Sequence, residues 1–165
     1  MKQKKHRNLM VELAVIVASI LALMLLVYFV MVVSFQNGAS SMSITMQLAE
    51  RVTTAVFDDP GQEQIKTVSL MIRYEAHLAL FFVVGLVTAF VSMVIFRGYF
   101  RIMGVLLSGV ACYLMAYYTE YFKQYIDGRH FQMTDVQLNW YGGLAGIACM
   151  VISYFMNRLL VKLSG

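Results

Sequence analysis

Four long apolar stretches, separated by polar connections, dominate the pattern of this chain; they cover residues 10–33, 76–96, 102–119 and 136–157. Each is near the roughly 20 residues that a helix needs to cross a hydrocarbon core about 30 Å thick. The third is the shortest, and its aromatic end (Tyr113, Tyr117, Tyr118) suits an interfacial belt. Between the first and second stretches the period changes. Met42, Met46, Ala49, Val52 and Val56 recur at helical spacing, which predicts an amphipathic helix up to Phe57. The hydroxyls of Ser40, Ser41 and Ser43 can cap its start, and Asp58-Asp59-Pro60-Gly61 breaks it. Such a helix lies on the membrane surface or folds over the mouth of the bundle, as a plain connection or as a lid. A second helical stretch resumes near Lys66 and runs through Arg73 into the second span.

The expected fold is therefore an all-α integral membrane bundle of four transmembrane helices and one amphipathic outer helix, a single domain over residues 1–165. Composition agrees: 60% of residues are hydrophobic, 13% are charged and the mean hydropathy is +0.69, which excludes the balance of a water-soluble domain. Lys2, Lys4, Lys5 and Arg7 precede the first span, whose apolar core outruns the 7–15 residues of a cleavable signal. That favours an uncleaved signal anchor.

Charge sets the orientation through the positive-inside rule. With the N-terminus inside, one face holds Lys2, Lys4, Lys5, Arg7, Arg97, Arg101, Arg158 and Lys162 against Glu12. The other holds Arg51, Lys66, Arg73, Lys123 and Arg129 against eight acidic residues, so the net +4 divides as about +7 inside and −3 outside. The short basic turn 97–101 is the clearest marker, and both termini are expected in the cytoplasm. The basic balance is thus an orientation signal and points to no nucleic acid. Cys112 and Cys149 fall inside spans and belong to no metal-spacing pattern, so buried thiols are expected rather than a disulfide; no metal or cofactor is implied.

Candidate chemistry collects at the outer face. Arg73 and His77 are four residues apart, hence on one helix face where the second span enters the membrane. Ionisable groups at that depth are costly unless paired and turned to the bundle interior. Glu120 ends the third span with Lys123 a turn on; such pairs are commonly surface electrostatics, but burial there would push Glu120 towards an acid–base role. Asp135 and Asn139, again four apart, present a carboxylate and an amide at the start of the fourth span. Arg129 could pair with Asp135 across the turn that Gly128 permits, while Thr134 and Gln137 have capping-box spacing. Singly, each of these has a structural use. Together, Arg73, His77, Glu120, Arg129, Asp135 and Asn139 reach one membrane face, which makes them the candidate ligand-binding set, with His77, Glu120 and Asp135 the acid–base candidates. Gly142 and Gly146, with Gly143 beside them, form the small-residue pattern that lets membrane helices approach closely; packing within the bundle is expected before self-association into a homo-oligomer.

In order along the chain these positions resemble the VanZ-like family, small membrane proteins named for an accessory factor in teicoplanin resistance. The serine-rich block after the first span resembles residues 34–43. An R-K-x-x-H-like signature resembles Arg73-Tyr74-Glu75-Ala76-His77, with Tyr74 in the lysine place. A third block, E-x-x-Q followed by G-R, an aspartate and N-x-x-G, resembles Glu120 to Gly146 through Gly128, Arg129, Asp135, Asn139 and Gly142, with either Lys123 in the glutamine slot or Gln124 filling it at a spacing to Arg129 shorter by one. The resemblance implies a multi-pass protein of the bacterial plasma membrane and a context of glycopeptide resistance, and it supplies no reaction. Two readings stay open. In one, the outer polar cluster binds an envelope ligand such as a cell-wall precursor or a glycopeptide, with membrane lipids around it. In the other, an intramembrane enzyme acts on a lipid-linked or peptidyl precursor, although the chain has neither a Gly-x-Ser-x-Gly elbow nor a His-Glu-x-x-His pair. A small transporter is disfavoured by the absence of mid-span charge.

Overall fold

The computed structural model describes residues 2–35, 38–57 and 60–164, with side chains described from residue 10 in the first segment and 42 in the second. Among the described residues there are five helices and no strand. They are α1 (Lys2–Ser34), α2 (Gly38–Val56), α3 (Gln62–Ile95), α4 (Phe100–Lys123) and α5 (Met133–Ser164). Four of them, all but α2, are long and apolar enough to cross a membrane. The chain is an all-helical bundle with the features of a multi-pass membrane protein.

Its surface says which solvent it folds in. Met10, Leu25, Tyr28, Leu106, Ile152 and Leu163 are all exposed, along the whole length of α1, α4 and α5. Exposed apolar surface of that extent would be prohibitive in water and is the normal outer face of a bundle in lipid. Polar side chains inside the spans are satisfied locally. Ser19, Thr88, Ser108 and Thr119 each return a hydroxyl to the carbonyl four residues back, which leaves little for hydrocarbon to desolvate. Ser92 and Ser108 also bond each other at 2.8 Å, joining α3 to α4. Cys112 is buried, Cys149 faces outward, and both are free thiols.

α3 is the centre. It packs against each of the other four helices, most extensively against α5, whereas among the described residues α1 makes slighter contacts, with α3 and α4. The reason for the α3–α5 preference lies in the glycines. A Cβ on Gly142 would stand 2.5 Å from the backbone oxygen of Leu78, and one on Gly146 would stand 2.8 Å from the amide nitrogen of Leu86. From the α3 side, a Cβ on Gly85 would reach within 2.7 Å of the carbonyl carbon of Gly143. Only hydrogen fits in this seam, so the backbones touch. Gly143 points elsewhere, towards Cys112 on α4, where a Cβ would sit 3.1 Å from the cysteine Cβ. The small-residue pattern thus serves packing inside the bundle, on two faces at once.

The ends of the helices differ in charge. At one end Arg97 reaches Glu12 at 3.2 Å, Arg101 donates to the Tyr154 hydroxyl, and Arg158 lies over the same ring at 5.9 Å. This is the basic end of the bundle. The opposite end carries Arg73, Glu120, Arg129 and Asp135.

Several local expectations are adjusted. α3 begins at Gln62, a turn before Lys66, and runs unbroken for 34 residues. α5 begins at Met133, with the Gln132 carbonyl accepting from the amides of Asp135 and Val136. Thr134 is therefore inside the first turn and not at the cap. α2 begins at Gly38, ahead of the serines; the side chains of Ser40 and Ser41, and all of Gln36, Asn37, Asp58 and Asp59, lie outside the described residues. The buried line of α2 is Ala49 and Thr53, with Thr45 and Met46 half-buried, while Met42, Val52 and Val56 are exposed. Thr53 can face α3 because its hydroxyl is bonded to the Ala49 carbonyl, which masks its polarity.

Candidate functional site

Two residues four apart on α3 meet two residues four apart on α5. Arg73 Nη2 donates to Asp135 Oδ2 at 2.7 Å, and His77 Nδ1 bonds Asn139 Oδ1 at 2.9 Å. Both contacts join residues 62 apart in sequence, which is the signature of parallel helices in register. The glycine seam begins a turn below, at Leu78 and Gly142. Close backbones there hold short side chains such as Asp135 and Asn139 within reach of α3. A wider seam would have required longer ones.

The roles within this quartet follow from hydrogen-bond chemistry. In the tautomer that carries its proton on Nδ1, His77 donates to the Asn139 amide oxygen, which can only accept. Its Nε2 lies 3.7 Å from Asp135 Oδ2. Asp135 is fully buried, and its Oδ1 has no hydrogen-bond partner among the described residues. One oxygen is held by Arg73; the other remains an acceptor in reserve.

A second pair closes α4. Lys123 Nζ donates to Glu120 Oε1, and both side chains are almost wholly buried, 3% and 1% exposed. Of the two readings open for this pair, a solvated surface pair and a buried one, the structure has the buried one. It also changes the part of Glu120, which is occupied by its own lysine and does not line the cleft described next.

That cleft, of about 250 Å³, opens between the outer ends of α1, α2, α3 and the α4–α5 connection. Arg73, His77, Lys123 and Arg129 supply its polar wall, and Ser34 of α1 and Thr45 of α2 add two hydroxyls opposite. Val33 of α1, Ile44 and Leu48 of α2, and Ile72, Ala76 and Leu80 of α3 supply the apolar remainder. Asp135, Asn139 and Glu120 stand behind the polar wall, each bonded to one of its members, so they orient the cleft side chains rather than face its interior. Arg129 feels its surroundings: burial pushes its guanidinium below the usual arginine range, and the Arg73 charge acts the same way, with Glu120 and Asp135 opposing. An arginine still holds its proton under such pressure, so the cleft carries permanent positive charge.

All six sequence-predicted residues therefore come to one end of the bundle, as four wall or supporting residues on α3 and α5, Glu120 at the end of α4 and Arg129 in the α4–α5 connection. Lys123 is the cleft residue that sequence reasoning undervalued. The signal was present, since a lysine one turn beyond the last apolar residue of a span is either solvated or folded back, but spacing cannot say which. Ile44 and Leu48 were also missed, because the stripe read along α2 ran through Met42 and Val52. Among the described residues no cluster of histidine, cysteine and carboxylate side chains could hold a metal ion. No family model, curated protein or solved structure matches this chain.

Proposed function

We propose that this is a multi-pass protein of the bacterial plasma membrane whose extracytoplasmic cleft binds the phosphate or carboxylate of a cell-envelope component. One observation carries the reading: Arg73, His77, Lys123 and Arg129 converge on a single cleft, with Glu120 and Asp135 bonded behind Lys123 and Arg73. Three fixed cations meet in a partly desolvated place, where a bound anion gains most. Arginine forks suit the planar or tetrahedral oxygens of carboxylate and phosphate. The volume restricts what enters. At about 250 Å³ the cleft falls below the roughly 300–1,000 Å³ of sites that enclose drug-sized ligands, so it takes one headgroup or peptide terminus and not a whole glycopeptide.

The VanZ-like blocks supply the setting, a contribution to glycopeptide resistance of the teicoplanin type through the envelope component that the cleft binds. The test is resistance in cells making equal amounts of the wild type, Arg129→Gln and His77→Ala. Both substitutions should abolish any protection while membrane insertion is retained; undiminished protection would reject the resistance reading.

The intramembrane-enzyme reading has one observation in its favour. His77 faces the cleft with Nδ1 fixed by Asn139 and Nε2 directed towards Asp135, an arrangement that could move a proton. Glu120 and Asp135 are each engaged by a cation, which makes His77 the acid–base candidate on the wall among the described residues. Turnover of a lipid-linked precursor by purified protein, lost in His77→Ala, would establish catalysis; binding without turnover favours the receptor role.

A further inference from the structure

We infer that the occupant of this cleft is the phosphate of a membrane-borne lipid, which enters sideways from the bilayer between α1 and α2 with its hydrocarbon chain against Val33, Ile44 and Leu48. This rests on the anion-binding reading above and specifies the ligand's other half. Three observations carry it.

The cleft is two-faced. Its cations lie on α3, at the end of α4 and in the connection after it, while the wall made by α1 and α2 carries no charge and presents Val33, Ile44 and Leu48 beside the hydroxyls of Ser34 and Thr45. A small water-soluble anion would leave that wall wet, whereas a chain attached to the anion covers it. The cleft also has depth in the right medium. From Arg73 to Leu80 is seven residues of α3, about 10 Å of helix at 1.5 Å per residue, and the lower turn lies within the second apolar stretch. Its floor is thus level with acyl chains and its rim with headgroups. Finally, there is a way in. Among the described residues α1 and α2 do not pack against one another, although both border the cleft. α1 is held only by α3 and α4, and Ile44 and Leu48 stay about half exposed on the open side of α2. A gap between two helices that face lipid is a lateral door.

The experiment uses the full chain purified in neutral maltoside micelles. Phosphatidic acid is titrated in and its retention followed by native mass spectrometry, with inorganic phosphate as the chain-free competitor. Phosphatidic acid should bind at least about tenfold more tightly than inorganic phosphate competes. Leu48→Gln should weaken lipid retention about tenfold, equivalent to uncovering roughly half a leucine side chain, and leave phosphate competition unchanged. Arg129→Gln should weaken both. If Leu48→Gln does not fold, Ile44→Asn serves, since Ile44 is likewise half exposed. Equal potency of inorganic phosphate, with both α2 substitutions silent, would overturn the lipid inference and leave the anion site standing. Lipid retention indifferent to Arg129 and to α2 would mean annular association and would also overturn it. Failure of both probes to bind would overturn this inference and the anion site together.

Discussion

Replacing Gly142 by alanine tests the link between helix packing and the site. The new methyl group would lie 2.5 Å from the Leu78 carbonyl oxygen and 3.1 Å from its Cα. Carbon–oxygen contacts settle at about 3.3 Å or beyond, so the seam must open by roughly 0.8 Å. The obstructing atoms are backbone and cannot rotate aside. Overpacking of this kind costs about 1–3 kcal/mol, whereas alanine gains up to about 1 kcal/mol over glycine in helix propensity. The expected net loss is about 1 kcal/mol. Gly109 is the control: it lies on the outer face of α4, and a Cβ there meets nothing within 4 Å. Gly109→Ala should be neutral or stabilising, so the two variants should differ by about 2 kcal/mol in reversible unfolding in mixed detergent–SDS micelles. Because Leu78 adjoins His77 and Gly142 is one turn from Asn139, the same opening should loosen the 2.9 Å His77–Asn139 bond and weaken anion binding. A Gly142→Ala protein as stable as Gly109→Ala, with unchanged anion affinity, would refute the claim that touching backbones set the site.

Other outcomes follow from the same geometry. Arg73→Ala leaves the buried Asp135 carboxylate unpaired and should destabilise by about 2–4 kcal/mol; the double variant with Asp135→Ala should recover part of that loss, measured by thermal unfolding in detergent. Lys123→Met should behave similarly through Glu120, costing about 3 kcal/mol, although a solvated surface pair would cost under about 1 kcal/mol. For orientation, a membrane-impermeant maleimide should label His130→Cys on intact cells and label Tyr99→Cys only after permeabilisation, both positions being exposed. The reverse pattern would invert the topology and move the cleft into the cytoplasm.

Comparison of the chain with its fold shows where each kind of information resides. The four spans, their number and their basic ends could be read along the chain, because a bilayer imposes a length and a charge rule that act locally. The i, i+4 pairs Arg73–His77 and Asp135–Asn139 were legible as faces for the same reason. Which face met which was not. Spacing offers Arg129 as a possible partner for Asp135 across the turn, but nothing along the chain points to Arg73, 62 positions away, whose guanidinium donates to Asp135 Oδ2. The stripe along α2 ran wider than the strip that α3 covers, so periodicity alone could not separate Thr53, which is buried, from Val52 and Val56, which are not.

Hydropathy and charge by themselves determined that this chain is a helical membrane bundle with its ionisable groups at one mouth, since solvation free energy depends on each residue's own side chain. Tertiary structure alone decided that α3 and α5 lie parallel with touching backbones, that Lys123 folds inward onto Glu120, and that α1, α2 and α3 border one cleft. Those outcomes depend on shape fitting between segments distant in sequence, such as hydrogen atoms on Gly142 and Gly146 against carbonyls of α3. No local pattern encodes the partner of such a contact.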